Sequence, residues 1–319
     1  MMAVHRSSLV PIVRPSLRAA ARTVSLLLLL PCVVLAGCDG AALRPGLLDP
    51  AGPVGQAERT ILLDSLVIML GIVVPTILCT LAVAWWYRAS NRRAVYAPQW
   101  TYSGRLELLV WSIPALVIVF LGGIAWIGSH DLAPTKPLSA DRKPLEVQVV
   151  ALDWKWLFIY PEQHVASLNR LVTPVGTPVH FRLTSASVMN VFFVPELGSE
   201  IYAMSGMVTE LNLQADRTGA FHGLAAQING DGFADMTFDT RAVTASEFSE
   251  WLATAQADGP TLDDAAYRAL LRQSSILRPY TFRNITPNLF EEIISMHLPP
   301  GEGPRVTQAN ADIGSMKEE

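Results

Sequence analysis

Residues 185–236 read SASVMNVFFVPELGSEIYAMSGMVTELNLQADRTGAFHGLAAQINGDGFADM. Short runs rich in Val, Phe, Ile and Thr alternate here with turn signals. The signals are Pro195-Glu196-Leu197-Gly198, Asp216-Arg217-Thr218-Gly219 and Asn229-Gly230-Asp231-Gly232. The pattern predicts strands over residues 191–194, 207–213, 219–228 and 234–239. Upstream, residues 179–184 read as another strand. Residues 145–151 alternate and run into Asp153-Trp154-Lys155-Trp156-Leu157-Phe158-Ile159-Tyr160-Pro161. Trp154, Trp156 and Phe158 stand at period two, which puts them on one face of a strand. Short strands at this spacing predict an all-β sandwich or barrel of roughly 100 residues.

Downstream of the strands the pattern turns helical. Thr244-Ala245-Ser246-Glu247 reads as a capping box ahead of Phe248, Trp251 and Leu252. Thr261-Leu262-Asp263-Asp264 opens a second helix with Tyr267, Leu270 and Leu271 on one face. Thr286-Pro287 supplies a cap and a first-turn proline before Leu289, Phe290, Ile293 and Ile294. Residues 243–298 are thus expected to form a small helical, aromatic-containing appendage. Residues 299–319 are Pro/Gly-rich and polar, and are expected to be disordered.

Upstream lie two long apolar runs, residues 61–87 and 106–129. The first holds Asp64 near one end, and residues 108–127 of the second hold no charge. Each exceeds the length needed to cross about 30 Å of hydrocarbon at 1.5 Å per residue. Trp85, Trp86, Tyr87 and Trp126 sit at their ends, as interfacial aromatics do. Between the spans, residues 88–105 carry Arg88, Arg92, Arg93 and Arg105 and no acid, so this loop is expected in the cytoplasm and both termini outside. Residues 130–144 form a Pro- and charge-containing linker. Glu107 sits at the cytoplasmic mouth of the second span. It reads as an interfacial carboxylate near Arg105 at an electropositive helix start, or as a group that feeds a proton path.

Residues 1–22 are basic without an acid, and a short apolar run of about a dozen residues follows, which describes a secretory signal rather than a span. Leu35-Ala36-Gly37-Cys38 resembles the bacterial lipobox. That resemblance implies cleavage after residue 37, a lipidated (palmitate-bearing) Cys38, and, with Asp39 next, retention in the inner membrane. Residues 38–60 would then be a periplasmic N-terminal segment. An outer Cys38 agrees with the orientation given by the Arg loop.

Composition fits this layout. The chain has 319 residues, 50% hydrophobic and only 16% charged, with a mean hydropathy of +0.31. A net charge of −4 gives no reason to expect a nucleic-acid partner. Cys32, Cys38 and Cys79 all lie in apolar N-terminal segments. Nothing after residue 79 can therefore form a disulfide or a site with its own thiolate ligands.

Lipoprotein signal, two-helix transmembrane hairpin, cytoplasmic Arg loop and outer β domain together resemble subunit II of the haem–copper terminal oxidases. Asp153-Trp154-Lys155-Trp156 is similar to the family's aromatic strand. Residues 184–195, TSASVMNVFFVP, are similar to the stretch leading into its first copper histidine. Glu107 before Val110-Trp111-Ser112-Ile113-Pro114 matches the family position at the entrance of a proton channel. The resemblance implies a cupredoxin-like domain over residues 145–242.

Members that use cytochrome c hold a binuclear copper centre, built from two thiolates, two imidazoles, a thioether and a carbonyl. The family pattern is an early histidine, then Cys-x-Glu-x-Cys-x-x-x-His-x-x-Met. On this sequence the first histidine falls on Asn190, the cysteines on Ala225 and Asn229, the glutamate on Gln227, the second histidine on Phe233 and the methionine on Met236. Only the methionine survives. His222 is close in sequence, but one imidazole and one thioether make no copper site, and His164 and His180 have no ligand spacing. The copper-free members are quinol oxidases, and the chain is most similar to subunit II of the cytochrome o (bo3-type) ubiquinol oxidases.

That resemblance implies a proton-pumping complex that oxidises ubiquinol and reduces oxygen to water. Haems and the catalytic copper would sit in subunit I, none would be bound by this chain, and no residue here would be catalytic. Partners would be subunit I, smaller membrane subunits and membrane lipid. Trp154 and Trp156 read as plain strand packing, or as a contact toward subunit I or a remnant of an electron path. A copper-containing cytochrome c oxidase subunit and an envelope lipoprotein acting only as a binding module are the alternatives.

Overall fold

The computed structural model describes residues 46–139, 142–274, 278–301 and 303. The signal segment, Cys38 and most of the tail lie outside the described residues.

Two helices come first, α1 (Pro53–Trp86) and α2 (Gly104–Asp131). Both are long and apolar enough to cross a membrane, and neither is buried within the chain. They run through Pro75 and Pro114, which spanning helices tolerate when neighbours satisfy the freed carbonyls. The helices meet where Gly128 leaves room for Ile61: a Cβ at Gly128 would stand 2.6 Å from Ile61 Cδ1.

α1 starts eight residues before the apolar run, inside the stretch expected to be a periplasmic N-terminal segment. Gln56, Glu58 and Arg59 interrupt the hydrophobic pattern, and Pro53 at the first turn is the start signal. This extra length reaches the β domain. Ala51 N donates to Glu196 O at 2.6 Å and Gly55 N to Leu197 O at 3.1 Å. Ser199 Oγ donates to the Glu58 carboxylate.

The β domain is a two-sheet sandwich. Its strands are β1 (Leu145–Leu152), β2 (Lys155–Tyr160), β3 (Val165–Leu168), β4 (Arg170–Pro174), β5 (Val179–Ser185), β6 (Asn190–Phe193), β7 (Ile201–Ala203), β8 (Thr209–Leu213), β9 (Gly219–Ala225) and β10 (Thr237–Val243). The appendage adds α3 (Ala245–Ala257), β11 (Thr261–Leu262), α4 (Asp264–Leu270), β12 (Tyr280–Phe282), β13 (Asn284–Ile285) and α5 (Leu289–Ile294). One sheet runs β12-β3-β2-β1-β5-β8 and the other β4-β10-β9-β6-β7. The β1–β5 and β4–β10 pairs are parallel.

Asn169 makes the corner where the chain leaves one sheet for the other. Its φ is +52°, and its Oδ1 accepts from Trp156 N at 2.7 Å. Asn tolerates this left-handed conformation better than most residues. Tyr160 pins the sheets together: its hydroxyl donates to Val172 O at 2.9 Å and accepts from Val172 N at 2.8 Å.

Every residue of β2 is buried, because both faces of its sheet are covered. Trp156, Phe158 and Tyr160 face the sandwich core with Phe181, Phe192 and Phe238. Leu157 and Ile159 face the appendage, against Tyr267, Leu270, Phe290 and Ile293. The expected three-residue face is corrected at its first member. Trp154 is not in the strand; it sits in the tight β1–β2 turn with φ +62°, since Leu152 already pairs with Lys155.

The appendage is more than helices. β12 pairs with β3 and extends the six-stranded sheet. The capping box forms: Thr244 N donates to Glu247 Oε2 at 2.8 Å and Glu247 N to Thr244 Oγ1 at 3.3 Å. Asp263 caps α4 through Ala266 N at 2.8 Å. α5 begins later than the Thr286-Pro287 signal, after Asn288 at φ +64°. The stretch read as a disordered tail begins pinned: Gly301 N donates to Ala186 O at 2.9 Å, and Gln273 Nε2 donates to Gly303 O.

Candidate functional site

The positions singled out by spacing are brought together at one end of the sandwich. Asn190 opens β6 and is fully buried, Ala225 closes β9, and Asn229 and Met236 lie on the connection to β10, both buried. Backbone bonds hold that connection in place. Ala225 N donates to Met236 O at 3.0 Å, Ala226 N to Val191 O at 3.1 Å, and Phe233 N to Gly230 O at 3.1 Å.

The side chains form a buried polar cluster, with Asn229 Oδ1 left without a hydrogen-bond partner among the described residues. Asn229 Nδ2 donates to Asn190 Oδ1 and to Met236 Sδ at 3.0 Å. Asn190 Nδ2 donates to Val188 O at 2.9 Å. The second turn of the site is equally local: Ser185 Oγ donates to Val188 O, and Ser187 N to Ser185 Oγ at 3.2 Å. Phe233 packs partly buried against the sandwich core, and Gln227 is half-buried at the rim.

A binuclear copper centre does not fit these residues. A methyl, an amide and a phenyl ring offer no soft anionic or imidazole donor. The surviving thioether sulfur already accepts a hydrogen bond from Asn229, so its lone pair points at a donor. Among the described residues no three His, Cys, Asp or Glu side chains gather where a metal could sit. His222 does not help. On β9 its neighbours Phe221, Gly223 and Ala225 face inward while His222 is exposed. His180 Nδ1 pairs with Asn212 Oδ1 at 3.1 Å.

Trp156 is at 0% exposure in the core, with ring centroids 5.5 Å from Phe192 and 5.7 Å from Phe238. This removes it from any contact surface. Trp154 is half-buried over the loop carrying Asn229. Gly232 is required there, since a Cβ would overlap the indole ring.

Sequence reasoning passed over Lys155, which has 0% exposure. Its Nζ donates to Arg272 O at 2.6 Å, Ser274 O at 3.3 Å and Ser274 Oγ at 2.9 Å. Burial pushes this ammonium down from the ordinary 10.5 to about 8, and the nearby Asp153 carboxylate opposes the shift. Asp153 is itself tied to the site, accepting from Ser187 Oγ. The available signal was the apolar content on both faces of β2, which leaves a lysine there no route to water.

Glu107 lies in the first turn of α2 and is exposed. Among the described residues no ion pair joins it to Arg105 or to any other cation.

This architecture, a cupredoxin-like sandwich behind two apolar helices, defines the class of oxidase subunit II. Residues 145–243 match the family described as cytochrome c oxidase subunit II, periplasmic domain. The chain is 44% identical over 269 residues to cytochrome bo(3) ubiquinol oxidase subunit 2 of Pseudomonas aeruginosa, covering 84% of this chain and 80% of that one. It is 46% identical to ubiquinol oxidase subunit 2 of Acetobacter aceti, covering 83% and 85%. The periplasmic domain of cytochrome oxidase subunit II from Bradyrhizobium japonicum is 27% identical, covering 38% of this chain and 98% of that one at a TM-score of 0.35. The chain belongs to the family of ubiquinol oxidase subunit 2.

Proposed function

We propose that this chain is the copper-free subunit II of a proton-pumping ubiquinol oxidase in a bacterial inner membrane. The observation that carries the reading is the Asn190–Asn229–Met236 cluster, in which amides stand at two of the ligand positions and one of them donates to the one ligand side chain that is kept. Without copper the domain has no centre to relay electrons from a soluble carrier. Quinol in the membrane is then the donor, and the haems and catalytic copper belong to subunit I. The chain's own work is structural. The two spans pack against subunit I and the smaller subunits, and the sandwich caps the outer face, with half-buried Trp154 available as a contact. Cys38 carries lipid outside, and the loop between the spans is cytoplasmic.

Glu107 is the second functional element of the proposal. As an exposed carboxylate without an ion-pair partner among the described residues, at the mouth of a span, it can take protons from the cytoplasm. The test uses the complex purified in mild detergent through a tag on this chain. That preparation is expected to contain a haem-bearing large subunit, and its absence removes the oxidase assignment. Glu107→Ala is expected to lower quinol-driven oxygen consumption roughly tenfold, less than the ~10²–10⁴-fold of a general acid or base at the reacting atoms because the group lies only at the entrance of a proton path, with haem content unchanged. Unchanged turnover returns Glu107 to an ordinary interfacial carboxylate.

A further inference from the structure

Between the ends of α1 and α2 the chain builds a cleft of about 690 Å³, whose walls include Val83, Tyr87, Tyr96, Pro98, Trp100 and Leu106. Its walls are mostly apolar, and its volume falls within the usual range for small-molecule sites. The turn that forms it is ordered by its own hydrogen bonds. Asn91 N donates to Arg88 O at 2.9 Å and Asn91 Nδ2 to Trp86 O at 2.5 Å. Trp100 N donates to Ala97 O at 3.1 Å.

The loop that builds the cleft is cationic. Arg88, Arg92, Arg93 and Arg105 flank the cleft in sequence, and the stretch from Tyr87 to Leu106 holds no acid. Arg88 is anchored: Nη1 donates to Trp85 O at 2.8 Å, and its guanidinium lies 4.5 Å from the Trp85 ring centroid. Among the described residues none of the four has an ion-pair partner. An apolar slot at a span's end, lined by Tyr and Trp and carried by a loop with four guanidinium groups that have no ion-pair partner among the described residues, is complementary to one kind of molecule. That molecule has hydrocarbon chains, a glycerol region at the depth of the aromatic belt and a negative head group.

We infer that the cleft formed by Tyr87, Tyr96, Trp100 and Leu106 binds an anionic glycerophospholipid of the cytoplasmic leaflet, with the loop arginines holding its phosphate. The inference rests on the orientation proposed above, which puts this loop inside. Acyl chains enter beside Val83 and Leu106, which line the cleft. The head group meets Arg92 and Arg93, guanidinium forks suited to phosphate oxygens.

The test is native mass spectrometry of the intact complex, purified through the same tag, for wild type, the double variant Arg92→Gln/Arg93→Gln, and Trp100→Ala. Wild type is expected to retain a bound anionic phospholipid after detergent exchange. Each variant is expected to retain roughly tenfold less or lower, with haem content unchanged. Equal retention in both variants overturns the inference. So does loss of the large subunit from the Trp100→Ala complex with lipid retention unaltered, which assigns the cleft to that subunit instead. Orientation is read separately with Ser90→Cys in a Cys79→Ser background and a membrane-impermeant maleimide. Reaction from the outer side sinks the topology. Reaction from the inner side with equal lipid retention sinks this inference alone.

Discussion

Lys155→Ala is expected to lower stability by about 2–4 kcal/mol and to loosen the C-terminal appendage. The ammonium is the donor for two backbone carbonyls and a hydroxyl at the end of α4. Removing it strands those acceptors, at about 1–3 kcal/mol for a buried group left unsatisfied, and opens a cavity where the four-carbon stem lay. Relief from burying a charge offsets part of that loss. Lys155→Met keeps the stem and is expected to cost less, so the difference between the two variants isolates packing from hydrogen bonding. Limited proteolysis after residue 243 together with thermal denaturation of the purified complex reads both. The wild type carries a further signature. Because the folded-state value near 8 lies below the unfolded 10.5, the unfolded chain binds more protons between those limits. Stability from this group therefore rises with pH across that window and is flat below it. Lys155→Met is expected to abolish the rise.

Trp156→Ala is expected to be at least as damaging, at about 3–5 kcal/mol for a fully buried large aromatic. Its ring meets Phe192 and Phe238 edge-on, at interplanar angles of 76° and 61°, a favoured geometry for aromatic pairs. Phe192 and Phe238 stack on each other at 5.1 Å, so one deletion opens the core on both sheets. Phe192 is two residues beyond Asn190, and its register partner is Ala225. The loss therefore reaches the Asn190–Asn229–Met236 cluster. Trp156→Phe is expected to be mild, because the Trp156 Nε1 has no hydrogen-bond partner among the described residues. Phenylalanine removes that orphaned donor while keeping most of the contact area. Thermal denaturation of the two variants side by side separates lost packing from the indole's polar atom.

The sandwich was legible because its turn signals are strong. The Pro, Gly, Asn and Asp clusters after residues 194, 215 and 228 divide the chain into strands that the structure contains, with ends moved by a few residues. β3, β4 and β7 were missed: VASLNRLVTP has no clean alternation and its break falls on Asn169, whose corner depends on the Trp156 backbone, and β7 has only three residues, Ile201–Ala203, too few to show a period. The edge strand β12 has three residues, too few to show a period, and exists only because β3 offers it an open edge. Helix α1 starts early because tertiary bonds to Glu196 and Leu197 hold its beginning, and its one local start signal, Pro53, lies outside the apolar run. At the candidate site, the resembled family's ligand pattern laid on the sequence located Asn190, Ala225, Asn229 and Met236. That the amides bond to one another and to the sulfur could not be read, since it requires the β9–β10 connection to fold back on β6. Trp154 and Trp156 looked equivalent in sequence, and a two-residue turn separates them.

The claim that matters most is that electrons do not enter the complex through this chain. Oxygen uptake by the purified complex, with ubiquinol or reduced cytochrome c as the sole donor, tests it most directly. Steady uptake with ubiquinol and none above background with cytochrome c is the predicted result. Turnover driven by cytochrome c, accompanied by the near-infrared band of a mixed-valence copper pair, would contradict it.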